Sequence, residues 1–127
     1  MAAMNLAARN VVLALPESPV TRETAERLRA SGWRVHRVAD GEALRRLACR
    51  MTPEVVVLPA DGTDESGWLT CAKLLTAIPR PRVIVVGELT ADAAELARFI
   101  GAEAPVPANT CATELVDRIE AAQLQSA

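Results

Sequence analysis

Residues 53–67 read PEVVVLPADGTDESG. Val55, Val56, Val57 and Leu58 follow one another with no polar residue in alternation, and β-branched runs of that kind suit a strand covered on both faces. Proline, glycine and acidic residues then open a loop at 59–66. Similar runs stand at 11–15 and 83–86, with weaker ones at 35–38 and around Pro105 and Val106. The weaker pair carry Arg34, His36 and Arg37, or Pro105 and Pro107, which a sheet edge tolerates and a sheet centre does not.

Between these runs the period changes to that of a helix. The expected stripes are Thr24, Ala25 and Leu28; Leu44, Leu47, Ala48 and Met51; Cys71, Leu74, Leu75 and Ile78; Ala93, Leu96, Ala97 and Ile100; and Ala112, Leu115, Val116 and Ile119. Ser18 before Pro19, Asp40 and Thr90 read as N-caps, and Gly32 and Gly101 close helices. A β-α unit repeated five times with right-handed crossovers predicts an α/β three-layer sandwich. Its five parallel strands take the order 2-1-3-4-5, with the functional loops at their carboxyl ends.

The chain has 127 residues, half of them hydrophobic, and 14 basic against 16 acidic side chains for a formal charge of -2. One core fits that length. We expect tails at 1–8 and 123–127 around a domain at 9–122. Scattered arginines in a nearly neutral chain disfavour nucleic-acid binding. Cys49, Cys71 and Cys111 show no Cys-x-x-Cys spacing and read as buried or half-buried thiols in a reducing compartment. Arg9 and Asn10 interrupt the first apolar stretch, and no run reaches the ~20 apolar residues of a membrane span, so a cytoplasmic protein is expected.

With these elements in place, the chain resembles the receiver (CheY-like) domains of bacterial response regulators, which have a flavodoxin-like fold. Residues 28–47, LRASGWRVHRVADGEALRRL, are similar to the receiver pattern of helix end, Gly-aromatic pair, second strand and "ADGEEAL" helix start. Residues 53–67 are similar to "PDLVLLDxxMPxxDG", and Gly101 with Ala102 resembles the "GAD" turn before strand five. The resemblance spans roughly residues 9–122. It places the family's metal-holding acidic pair on Leu15 and Pro16, the phosphoacceptor Asp on Pro59, the hydroxyl residue on Gly87 and the lysine on Ala108. None of these five residues can play the part the family gives it. Phosphoryl transfer needs a carboxylate nucleophile, a divalent cation and a cationic group facing the transferred oxygens. The resemblance therefore implies a degenerate pseudo-receiver.

Glu17, Asp61, Asp64, Glu65 and Glu88 fall on the same loops and read as a solvated acidic rim; a substitute metal site or an alternative acceptor at Asp61 or Asp64 is the sharper alternative. No metal or other cofactor is expected. His36 reads as an exposed strand residue, and Trp33 and Trp68 as packing residues. Of Pro16, Pro59, Pro105 and Pro107, three replace or adjoin loops that move in receivers and would stiffen them. No Gly-x-Gly-x-x-Gly, Walker loop or nucleophile elbow follows any strand, so enzymatic activity is not expected. The leading reading is a phosphorylation-independent protein-interaction module. The resemblance puts its partner surface, or a homodimer contact, on helix 4, strand 5 and helix 5, at Arg98, Phe99, Val106 and Arg118. Arg98 stands where the family has an apolar residue, which suggests a buried stripe of Leu96, Phe99 and Ile100 and with it a rotated fourth helix or a shortened loop before it. The rival reading is a small-molecule sensor whose apolar pocket is lined by Leu15, Pro16, Pro59 and Gly87.

Overall fold

The computed structural model describes residues 9–62 and 65–124. The expected tail at 1–8, residues 125–127 and Asp64 lie outside them. Ten elements alternate along the chain: β1 (Arg9–Leu13), α1 (Pro19–Ala30), β2 (Trp33–Arg37), α2 (Gly41–Met51), β3 (Val55–Pro59), α3 (Gly67–Leu74), β4 (Arg82–Gly87), α4 (Ala91–Ile100), β5 (Val106–Pro107) and α5 (Ala112–Leu124). The strands form one parallel sheet in the order β2-β1-β3-β4-β5, as the sequence predicts.

The unbroken valine runs follow from helices on both faces. Val11, Leu13, Val55, Val57 and Ile84 point to one side, where Leu28 of α1 and Leu115 and Ile119 of α5 cover them. Val12, Val56, Leu58, Val83 and Val85 point to the other, against Leu44 of α2 and Cys71 and Leu74 of α3. Strand residues alternate between faces, so a strand with two covers needs apolar residues at every position. The caps hold as read: Ser18, Asp40 and Thr90 accept from the backbone N–H groups of Thr21, Ala43 and Ala93 at 3.1, 2.8 and 3.0 Å. Such caps satisfy N–H groups that a helix start leaves orphaned.

Several local expectations are corrected. The third stripe ends early: α3 stops at Leu74, and Ile78 is 95% exposed. Ile78 precedes Pro79, and a residue before proline is pushed out of the helical region. β1 ends at Leu13, which leaves Leu15 in the following loop. Only Cys71 of the three cysteines is buried; Cys49 and Cys111 are exposed. His36 is half-buried, with its Nε2 3.2 Å from Asn10 Oδ1 on the neighbouring strand. Trp33 packs in the core, its Nε1 donating to Glu120 Oε2 at 3.2 Å and the Arg9 guanidinium 4.9 Å from the ring centre. α4 turns Ala97 inward, with Ala93 and Ile100 half-buried beside it, while Leu96 and Phe99 face outward. The rotation that would bury Leu96 and Phe99 is therefore absent.

Candidate functional site

The loops at the carboxyl ends of β1, β3, β4 and β5 bring Pro16, Pro59, Gly87 and Ala108 to one end of the sheet. Pro59 closes β3 in register with Val86 and is half-buried. The chain turns there on two backbone hydrogen bonds, Ala60 N–H to Val86 O and Gly67 N–H to Ala60 O, both 2.8 Å. Gly67 is required by this turn: a Cβ there would sit 1.8 Å from the Pro59 carbonyl oxygen. Gly87 is confined less tightly: a Cβ on it would meet the Ala60 Cβ at 2.7 Å. After β1, the Pro16 carbonyl accepts from the Thr21 hydroxyl at 2.8 Å, while Leu15 turns back to pack on the α1/α5 side of the core. Ala108 is exposed beyond β5. These five residues supply no nucleophile, no charge and no hard-cation ligand on their side chains.

The acidic residues divide into two kinds. Glu17 is held by Arg22 at 3.3 Å and by Arg37, and it is exposed. Glu65 is half-buried and engaged by the Thr70 hydroxyl, by Lys73 Nζ at 2.9 Å and by Arg45 at 3.9 Å. The Thr70 hydrogen bond first and the Lys73 hydrogen bond next hold its carboxyl below the ordinary value, against the opposing effect of burial, with the charges of Lys73 and Arg45 adding least. Thr70, Lys73 and Arg45 were not singled out from the sequence; their spacing carries a signal only once the start of α3 at Gly67 is known. Asp61 and Glu88 are exposed. Among the described residues, no group of three or more His, Cys, Asp or Glu side chains is arranged to hold a metal ion.

Beside the strand ends lies a cavity of about 150 Å³ between the sheet and the starts of α2 and α3. Ala14, Leu44, Leu58 and Pro59 form its apolar wall, and Asp40, Asp61 and Glu65 stand at its polar side. Of the expected pocket residues, Pro16 and Pro59 line it, whereas Leu15 and Gly87 do not. Asp40, which the sequence marks only as a cap, is part of this wall while still accepting from Ala43 N–H.

The expected partner surface is only partly a surface. Arg98 is exposed and Phe99 is 87% exposed, but Val106 is fully buried in the sheet core. Val106 therefore cannot meet a partner. Being the one β5 residue paired with Val86, it is committed to the α5 side of the sheet. Arg118 is half-buried and its guanidinium donates to the Ala104 carbonyl, which ties α5 to the segment before β5.

No protein-family model matches the chain, and no curated protein matches it. Solved structures do. A CheY-like response regulator receiver domain protein from Methanospirillum hungatei JF-1 is similar with a TM-score of 0.82 and 14% identity, over 94% of this chain and 96% of that one. An orphan response regulator of H. pylori gives 0.79 and 19%, over 91% and 96%. A streptococcal protein of a family of redox sensors evolved from two-component response regulators gives 0.81 and 16%, over 94% of this chain and 52% of that one. What these proteins share with the chain is the receiver fold.

Proposed function

We propose that this chain is a receiver-fold module of signal transduction that works by binding a protein partner and is not switched by phosphorylation at the end of β3. The observation that supports the reading is Pro59 at that strand end, flanked by Leu15, Pro16, Gly87 and Ala108. A receiver reaction would need a carboxylate there, a cation-binding acid pair after β1 and an amine after β5. Packing adds a second reason: a hydroxyl residue at Gly87 would drive its Cβ into Ala60. The reading assigns no catalysis and no cofactor. Likeness to an orphan response regulator and to redox sensors derived from response regulators is compatible with a receiver fold put to other uses. The test is incubation with acetyl phosphate and Mg2+, followed by intact mass and peptide mapping. We expect an unchanged mass; a phosphoryl adduct on Asp61 or Asp64 overturns the reading.

A second reading, a small-molecule sensor, is favoured by one observation, the 150 Å³ cavity against Pro16 and Pro59. Its apolar wall and polar side have the make-up of a ligand pocket, at the sheet end where such folds bind ligands. A thermal-shift screen tests it: a compound that raises the melting point of the chain, but not of a Leu44→Trp variant that fills the cavity, would favour sensing over partner binding alone.

A further inference from the structure

α4 leaves one of its faces uncovered. Asp92, Glu95, Leu96 and Phe99 fall at i, i+3, i+4 and i+7, a spacing that gathers side chains on one side of a helix. Leu96 is 38% exposed, and the 87% exposed Phe99 is the only phenylalanine of the chain. Alongside runs an open groove of about 740 Å³ between the start of α3 and α4, walled by Trp68, Leu96, Asp61, Glu88 and Asp92. It continues over Asp92 and Leu96 into a shallower depression that reaches Glu95, Arg98 and Phe99. An apolar strip thus crosses the surface from the half-buried Trp68 to Phe99, and contiguous exposed apolar area of this kind marks binding surfaces.

Charge identifies the partner. Among the described residues four acids, Asp61, Glu88, Asp92 and Glu95, border the strip, against Arg98 as the one base lining it. Six acids elsewhere, Glu17, Glu23, Glu42, Glu65, Glu103 and Glu120, each lie against an arginine or lysine, and the five described ones that do not, Glu26, Asp40, Glu54, Glu114 and Asp117, line neither groove nor depression; it is the gathering of four beside exposed apolar side chains that distinguishes the strip. Among the described residues the four around the groove have no such pair. We infer that this groove docks an amphipathic helix of a partner protein, with apolar side chains on Trp68, Leu96 and Phe99 and flanking lysines or arginines over the acidic border. A helix is the form that fits, because the backbone groups inside α4 are already bonded within it and offer a strand nothing to pair with. A second copy of the same face is disfavoured, because an isologous contact would set one acidic border against another. The inference rests on the interaction reading and deepens it by naming a surface and a partner charge.

The probe is a fluorescein-labelled lysine-leucine amphipathic peptide of about 18 residues, long enough to hold a helix. Its controls are a scrambled peptide of equal composition and a glutamate-leucine counterpart. By fluorescence anisotropy the lysine-leucine helix binds more tightly than either control, with a shift in tryptophan emission as Trp68 is covered. Leu96→Asp and Phe99→Asp each weaken it at least ~tenfold, as central anchors do. The double variant Asp92→Lys, Glu95→Lys acts in the same direction, and raised salt weakens the wild-type complex. Glu26→Lys, on an exposed position of α1, changes nothing. Circular dichroism melts establish that each variant is folded. Equal affinity for the scrambled peptide, or full affinity in the folded Leu96→Asp and Phe99→Asp variants, overturns the inference. So does sedimentation showing a dimer that Leu96→Asp dissociates, since the occupant is then a second copy. A chain that takes no phosphoryl group and binds no basic helix loses this inference alone; a phosphoryl adduct counts against the earlier reading whatever the peptide does.

Discussion

Replacing Gly67 by alanine puts two physical rules in opposition at the turn that shapes the candidate site. Gly67 is the first residue of α3, and alanine is the better helix former by up to about 1 kcal/mol in a helix interior, less at its first turn. Helix propensity alone therefore predicts a small gain in stability. The packing predicts a loss. The new Cβ would stand 1.8 Å from the Pro59 oxygen, 2.8 Å from its carbonyl carbon and 2.9 Å from the Ala60 Cα, where ordinary contact begins at 3.4 Å. All three are backbone atoms in or beside a central strand, so no flexible side chain can give way. Overpacking costs about 1–3 kcal/mol, and this geometry belongs at the upper end. Net destabilisation of about 2 kcal/mol corresponds to a fall in Tm of roughly 6–10 °C for a chain of this size. Circular dichroism melts and urea titrations with unchanged m would measure it. Gly87→Ala, whose Cβ meets only the Ala60 Cβ at 2.7 Å, should lose less. A Gly67→Ala variant melting at or above the wild type would refute the account of the turn at Pro59.

Leu44 is fully buried and forms part of the cavity wall, so Leu44→Ala should cost about 2–5 kcal/mol in chemical denaturation. A thiol reagent at about pH 8 should label Cys49 and Cys111 in the folded chain but not Cys71, whose pKa burial pushes up to about 12; intact mass counts the labels, with a third after unfolding. The folded-state pKa of Glu65 lies below its ordinary 4.5, so the pairing stabilises above that value and is lost as pH falls through the folded one. Glu65→Gln should therefore lower Tm at neutral pH, with the difference shrinking as the pH drops below 4.5.

The sheet order was legible because its causes are local and repeated. Val55, Val56, Val57 and Leu58 cannot all be buried unless helices lie on both faces, and Arg34, His36 and Arg37 leave β2 no place but an edge. The limits of the elements were less legible where one neighbour outweighs periodicity: Pro79 overrides the helical spacing of Ile78. α4 was misread for a different reason. Its apolar residues outnumber what a two-residue edge strand can cover, and sequence spacing does not say which of Ala97, Leu96 and Phe99 wins the inner face. The small side chain won. Val106 shows the reverse error, a residue placed on the surface by analogy that the pairing with Val86 buries. At the site, the residues that end the strands were readable one by one. The clasp on Glu65 was not, because it joins a loop to α2 and α3, and no short-range pattern records such a meeting.

The two glycines of the site carry a consequence for the proposed loss of phosphorylation. Gly67 would accompany an acceptor carboxylate as readily as it accompanies Pro59, since the atoms that a Cβ on it would strike are backbone atoms of residues 59 and 60. Its requirement therefore survives a change of side chain there, and the turn persists when the chemistry does not. Gly87 behaves in the opposite way. A Cβ there would meet the Ala60 Cβ at 2.7 Å, so a hydroxyl-bearing residue could be seated only by displacing Ala60. Putting an aspartate back at position 59 alone would thus yield a carboxylate with no cation ligands at Leu15 and Pro16, no amine at Ala108 and no hydroxyl beside it at Gly87. On the proposed reading, the end of the sheet has become structural, and recognition has passed to surfaces that the strand ends only hold in place, the acidic groove along α4 first among them.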